Sequence, residues 1–310
     1  MSSDRSALKW PDDFDPPVGV AEEIQPGLRR ILADNPSPMT YRGTNTYLLG
    51  ETELAVIDPG PDAPGHLDAI LAAVGAGQSI SHIVITHSHR DHSTLARPLA
   101  EATGAPVLAF GNATAGRSAM MSELANSGLG GGGEGLDAGF EPDITLADGA
   151  RIEGAGWALD VIHTPGHLGN HISLGLGDLC FSGDHVMGWA SSIVSPPDGD
   201  VGDFMTSCER LKERDWRIFY PGHGAPVTNP AARIDWLMDH RRKREAAILG
   251  ALSFSPSTPQ VLAARIYTET PRRMLGMATR NVFAHLIDLT RKNMVKPDGD
   301  LSEKAVFRRI

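Results

Sequence analysis

A chain of 310 residues, 41% hydrophobic and 21% charged, has the size and composition of a globular protein with one large and one small folded unit. No apolar run approaches the ~18–20 residues of a membrane-spanning helix, so no membrane role is expected. Cys180 and Cys208 are the only cysteines, too few for a disulfide framework, and residues 1–18 carry no apolar core or cleavage site, so a cytoplasmic location is expected.

Residues 1–23 are expected to wrap the surface or to be partly disordered, within an N-terminal extension over 1–26. Residues 28–32, 44–50 and 53–57 read as strands, the last two as a hairpin turning near Glu51-Thr52. Leu67, Ile70, Leu71 and Val74 share one face of a helix over 64–74. A strand ending near Thr86, a helix over 93–102 and a strand over 106–110 continue an alternation that argues for α/β architecture. The glycine-rich stretch 126–139 reads as a mobile loop, either a lid or a tolerated surface insertion. Short strands follow over 144–157, then a hairpin over 170–181. A helix over 200–213 turns Phe204, Leu211 and Met205 inward. A long helix over 230–252 precedes shorter ones opening at Thr258-Pro259, at Pro271 and at Ala278, the last running to Lys292 before a strand signal at Met294-Val295.

The chemistry is concentrated in Thr86-His87-Ser88-His89-Arg90-Asp91-His92. His87 and His89 are two apart, so in an extended segment both point the same way and can grip one metal. Asp91 and His92 follow the turn and would face a neighbouring position. Imidazole nitrogen and carboxylate oxygen suit zinc, and also iron or manganese. Surface histidines beside a helix cap would be the bland alternative, but so many ligands at one strand end favour a metal site. Three later stretches share the pattern of an apolar run ending in glycine and a ligand: His163-Thr164-Pro165-Gly166-His167, Ser182-Gly183-Asp184-His185 and Pro221-Gly222-His223-Gly224.

The order of these motifs, preceded by Ile57-Asp58-Pro59-Gly60, resembles the metallo-β-lactamase-fold hydrolases over about residues 27–226. The resemblance implies an αββα sandwich over 27–237, with His87, His89 and His167 on one metal. Asp91, His92 and His223 would hold a second, Asp184 would bridge, and Asp58 would support the ligands from behind. Two zinc ions per chain are implied, with iron or manganese as alternatives. Asn35-Pro36-Ser37-Pro38, Gly43-Thr44-Asn45-Thr46-Tyr47 and Ser182-Gly183-Asp184-His185-Val186 further resemble the lactamase-β-like-2 type. That type ends in a winged-helix domain, expected here over 238–310. Of the remaining histidines, His185 reads as a pocket residue or a support behind the ligands. His171 has the same standing and could contact substrate; His163 reads as structural. His66, His82, His240 and His285 read as ordinary surface or core residues.

Two metals roughly 3.5–4 Å apart would bridge a hydroxide nucleophile, with Asp91 as the residue that orients it and carries its proton. No serine or cysteine sits in a recognisable nucleophile elbow, in keeping with this. The net charge of −10 conceals an asymmetry: from Met238 onward there are 14 Lys+Arg and 7 Asp+Glu, net +7, leaving net −17 for the rest. A basic tail on an acidic body suggests a polyanionic partner, most simply RNA. The resemblance to the lactamase-β-like-2 type, some of whose members are single-strand-specific ribonucleases, implies an endoribonuclease acting on single-stranded RNA. Hydrolysis of a small thioester, glyoxalase II-like or on an acyl carrier protein, is the alternative, and a non-catalytic nucleic-acid-binding protein a remote one. The 39 positions from Asp184 to His223 leave no room for the inserted domain of the RNA-processing β-CASP nucleases. Against sequence-specific DNA reading, the polar face of the presumed recognition helix would be Asn281, His285, Asp288 and Lys292, whose aspartate repels phosphate. The oligomeric state is left open.

Overall fold

The computed structural model describes residues 13–131, 135–268 and 275–310. Strands β1 (Glu22–Gln25), β2 (Leu28–Leu32), β3 (Asn45–Leu49), β4 (Glu53–Ile57), β5 (Ser79–Val84), β6 (Val107–Ala109) and β7 (Ile144–Thr145) lie side by side in chain order. Pairing is antiparallel as far as β4 and parallel beyond it. The second sheet comprises β8 (Arg151–Gly154), β9 (Trp157–His163), β10 (Ile172–Leu176), β11 (Leu179–Gly183) and β12 (Ile218–Pro221), in the order β12-β11-β10-β9-β8.

Period-two alternation stacks the two sheets. Tyr47, Leu49, Ala55, Ile57 and Val84 meet Leu159, Val161, Leu174 and Phe181 across the sandwich. Their neighbours Leu48, Leu54, Val56 and Ile83 face outward onto α1 (His66–Ala72) and α3 (Ala96–Thr103). Ile162, Cys180 and Phe219 leave the second sheet on its other side and pack on α5 (Val201–Leu211) and α6 (Pro230–Leu252). The result is the expected helix–sheet–sheet–helix layering. Burying a side chain as completely as Phe204 or Phe219 contributes about 1.5–3 kcal/mol each. Helix starts follow their caps: Asp200 accepts from Gly202 N at 2.8 Å, and Asn229 accepts from Ala232 N at 3.2 Å with Pro230 next in line.

The C-terminal domain is built from the end of α6, from α7 (Pro259–Ile266) and α8 (Leu275–Arg291), and from a ribbon of β13 (Val295–Pro297) and β14 (Phe307–Arg309). Its core joins Ile248, Leu262, Phe283, Leu286 and Phe307, and it also takes in Met121 and Leu124 of α4 (Ala119–Asn126). The helix expected to open at Pro271 lies outside the described residues.

Several expectations need correction. β1 begins inside the supposed extension over 1–26, because Glu22–Gln25 pairs with β2. The boundary at 237/238 falls within α6, a continuous 23-residue helix. The expected 93–102 helix is two pieces, α2 (Arg90–Ser93) and then α3, so Asp91 and His92 are already helical. In the described parts of 126–139 the chain is held: Arg90 N donates to Gly135 O at 2.9 Å, Asp137 N to Ser88 O at 2.8 Å, and Leu136 bridges to His89. On α8, His285 and Asp288 are not a solvent face. Both are buried, with Asp288 paired to Arg291 and Lys292.

Candidate dinuclear metal centre

Side chains at the C-terminal ends of four strands converge at one rim of the sandwich. His87, His89, Asp91 and His92 follow β5, His167 follows β9, Asp184 follows β11 and His223 follows β12. His89 Nδ1 lies 3.0 Å from both His87 Nε2 and His167 Nε2. On the other side, Asp91 Oδ2 lies 3.1 Å from His223 Nε2 and 3.5 Å from His92 Nε2. Asp184 sits between the two groups. Its Oδ2 is 3.7 Å from His167 Nε2 and 3.4 Å from His223 Nε2, and its Oδ1 is 3.6 Å from His92 Nε2. Three sets of ligand atoms lie mutually within 4.8 Å: His87, His89 and His167; His87, His92 and Asp184; and Asp91, His92 and His223. All the sequence-predicted ligands are thus brought together.

The nitrogens facing away from this centre are engaged. Asp58 accepts from Thr86 N and Thr86 Oγ1, both at 2.7 Å, and from His92 Nδ1 at 2.9 Å. Thr86 Oγ1, its proton used on Asp58, receives His87 Nδ1 at 3.0 Å. His167 Nδ1 donates to Ile193 O at 2.6 Å and His223 Nδ1 to Gly43 O at 3.1 Å. Each of these rings is therefore held so that its other nitrogen points toward the centre, where it can bind a metal once unprotonated. Asp58 does this from a left-handed backbone, φ 51°, a strain that three hydrogen bonds to its carboxylate maintain. Gly222 is demanded by space, since a Cβ there would stand 2.5 Å from Asp184 Oδ1 and 2.6 Å from His92 Cε1.

Electrostatics divides the cluster. Burial pushes His87 well below the usual imidazole range and His89 down to about 3, so both offer lone pairs at neutral pH. Burial acts the same way on His92 and His223, yet the surrounding carboxylates prevail. Asp91 and Asp184 lift His92 well up, and Asp184 and Asp91 lift His223 to about 9. Asp184 is held well below the usual carboxylate range despite its burial, by His223 and His92. The fit to metal is tested by the polar atoms that face the centre. His92 Nε2, His223 Nε2 and Asp184 Oδ1 are all buried there, held only by ion-pair contacts within the cluster, such as His223 Nε2 to Asp91 Oδ2 at 3.1 Å and His92 Nε2 to Asp184 Oδ1 at 3.6 Å. Buried polar atoms in that condition are costly unless a cation occupies the gap. The His/Asp cluster is compatible with a dinuclear metal site.

Of the two histidines expected behind the ligands, His171 stands there and His185 does not. His171 is fully buried, its Nδ1 on Thr164 Oγ1 at 2.9 Å and its Nε2 receiving Asp184 N at 3.2 Å, so it steadies the backbone of Asp184 and cannot touch substrate. His185 points to the opposite face of the sheet, its ring tilted against Phe204 at 4.4 Å with Nε2 3.5 Å from Cys208 Sγ; it does not line the chamber at the centre. His163 stacks on Phe110 and is structural. Sequence reasoning missed Asn45 and Tyr47, which donate to Pro221 O and Gly224 O and so hold the loop that presents His223. Their signal was the Gly43–Tyr47 motif, conspicuous but without an assigned task.

Above the cluster lies a chamber of about 270 Å³ walled by Met39, Met187, Trp189, Ile193 and Met277. Several cations of the basic tail are engaged within the chain among the described residues. Arg241 is buried and donates to Ser192 O, Arg242 pairs with Glu209, Lys243 with Asp239, and Arg244 stacks on Tyr267. Arg291 meets Asp200 and Asp288, and Lys292 meets Asp288 and Glu245. Part of the positive charge counted from the sequence is thus paired within the chain among the described residues.

Fold and site together define a hydrolase of the αββα class carrying a histidine–aspartate metal cluster. The sequence model of the Metallo-beta-lactamase superfamily matches residues 39–223, and that of the Beta-lactamase associated winged helix domain matches residues 258–304. The chain belongs to the metallo-β-lactamase superfamily. It is 30% identical over 301 residues to the Beta-lactamase-like protein 2 homolog of Drosophila melanogaster, covering 93% of this chain and 96% of that one. It is 30% identical over 241 residues to the atrochrysone carboxyl ACP thioesterase of Aspergillus chevalieri, covering 76% of this chain and 69% of that one. A metallo-beta-lactamase family protein of Thermus thermophilus superposes with a TM-score of 0.73 at 26% identity, over 93% of this chain and 100% of that one. Among the described residues no helix is long and apolar enough to cross a membrane.

Proposed function

We propose that this chain is a dinuclear zinc thioesterase, in which His87, His89 and His167 hold one ion, Asp91, His92 and His223 the other, and Asp184 both. The observation that carries this is the apolar chamber opening directly onto the cluster, which suits an acyl group. The thioesterase relative described above supports the substrate class, and the internal pairing of several tail cations weakens the argument for RNA. When bound, two divalent ions would supply an activated water near neutral pH and polarise the carbonyl.

The chain's own residues do the rest. Met187, Trp189 and Ile193 exclude solvent from the acyl chain and hold its carbonyl over the cluster. Asp91 is the one cluster ligand that is not fully buried, with 23% of its side chain exposed, so it alone can exchange a proton with substrate or solvent. It orients the attacking water and carries the proton to the leaving thiolate. The bonds from Asp58 hold His92 and His87 still while charge develops.

The test is thiol release from S-lactoylglutathione and from an acyl N-acetylcysteamine thioester, by protein whose metal content is measured. Zinc-dependent release that is lost in Asp91→Ala supports the reading. Two metals bound with no thiol released, and a labelled single-stranded RNA cleaved instead, overturns it.

A further inference from the structure

The chamber above the metals continues into a second of about 410 Å³, with Ser191, Ile193 and Met277 lining both. The far wall of this joined cleft is winged-helix domain: Arg244 on α6, Tyr267 just after α7, and Asn281 on α8. Two of the cations nearby are spent. Arg280 Nε donates to Ser195 Oγ at 2.9 Å and its Nη2 to Gly130 O at 2.8 Å, while buried Arg241 is tied to Ser192 O.

Arg244 is different. Its guanidinium lies 3.9 Å over the Tyr267 ring, and Nε is buried with no acceptor. No carboxylate among the described residues pairs with it. The ring beneath is fixed in turn, because Tyr267 OH donates to Asn281 Oδ1 at 2.9 Å. A guanidinium held flat by an aromatic face and lacking an anion is preorganised for a carboxylate or phosphate.

We propose that the joined cleft is a two-part site for an acyl thioester bearing an anionic end. This rests on the thioesterase reading. The thioester lies at the metal cluster, the apolar body crosses Ile193 and Met277, and the anion docks on Arg244. The anion is either a carboxylate carried by the acyl chain or a phosphate carried by the thiol arm, and Arg244 sets the specificity.

The experiment compares the zinc-loaded full chain on two matched pairs: an ω-carboxyacyl N-acetylcysteamine thioester against its methyl ester, and a neutral acyl thioester of 4′-phosphopantetheine against that of pantetheine. At least one pair should favour the anion in kcat/KM by about 10-fold or more, the scale of one charge-assisted contact; the pair that responds identifies the source. In Arg244→Met the ratio should fall toward one, and Arg244→Lys should keep part of it. Because each ratio is taken within one variant, a folding defect cannot mimic the effect. A wild-type ratio near one in both pairs, or a ratio untouched in Arg244→Met, overturns the proposal while leaving the thioesterase standing.

If no thioester turns over, the thioesterase reading fails and calorimetric binding of the matching thioethers still reads the subsite. Tighter binding of the anionic member, lost in Arg244→Met, supports it, and equal binding overturns it. Arg244-dependent binding of a single-stranded oligonucleotide, with none of the small anions, would assign the cleft to nucleic acid and also overturn it.

Discussion

The metal cluster and the cleft that leads away from it are built on opposite plans. The cluster ligands stand just beyond strand ends, Asp91 and His92 already on α2, and most have their far atoms fixed by a neighbour, as Asp58 fixes His92 and, through Thr86, His87. The cleft is walled by side chains from a loop over 187–195 and from separate helices of the second domain, with Met277 43% exposed. Reaction chemistry is thus carried by sheet geometry, while choice of substrate is carried by how two domains pack.

If that division holds, damage at the cluster should be large and tied to metal content. Asp184→Asn should lower kcat/KM on the order of 10²–10³-fold or more and leave fewer than two zinc ions per chain by elemental analysis. Gly222→Ala, which drives a Cβ into Asp184 and His92, should lose metal in the same way and destabilise by about 1–3 kcal/mol in denaturant melts. Asp58→Ala touches no substrate, yet should weaken zinc affinity about 10–100-fold in chelator competition.

Protons give a subtler reading. In the metal-free protein His223 has been lifted to about 9, so at neutral pH zinc must displace its proton. Zinc affinity should therefore rise with pH, about tenfold per unit for each proton displaced, and calorimetry in buffers of different ionisation heat should show proton release. The sign for stability runs the other way. The raised His223 stabilises the metal-free fold fully below its unfolded value near 6.5 and ceases to as pH climbs through about 9, so the gain in Tm on adding zinc should widen between those values. The smallest effect belongs to the cleft. Met277→Ala should shift KM for an acyl thioester a few-fold, roughly the scale of one partly buried side chain, with two zinc ions still bound.

The same division explains what the sequence disclosed. His87, His89, Asp91 and His92 are neighbours in the chain, and their spacing alone placed them on one rim; His167, Asp184 and His223 each came with a glycine and an apolar run to announce a strand end. The strand–helix alternation made the α/β architecture legible and the resemblance implied the αββα layering, which Tyr47-Leu48-Leu49 illustrates, its outer members facing one core and its middle member another. His171 and His185 had the same standing in the sequence. Only the turn at Gly183, and the proximity of His171 Nε2 to Asp184 N, decides which imidazole serves the centre. The tail was less legible because counting charges says nothing about where they are paired, and Arg241, the first of the basic run, lies buried and donates to Ser192 O. Arg244, Tyr267 and Met277 had no shared spacing to betray them, since folding, not sequence, makes them neighbours.

One consequence lies in α6. Its first half is seated with Ile234 and Leu237 in the core beneath the second sheet, and its end with Ile248 and Leu252 in the core of the winged helix. A single rod anchored in both bodies works as a rigid strut, so the aperture between them has a set width and admits ligands by threading rather than by clamping. The two cores should then melt together, as one calorimetric peak whose van 't Hoff and measured enthalpies agree.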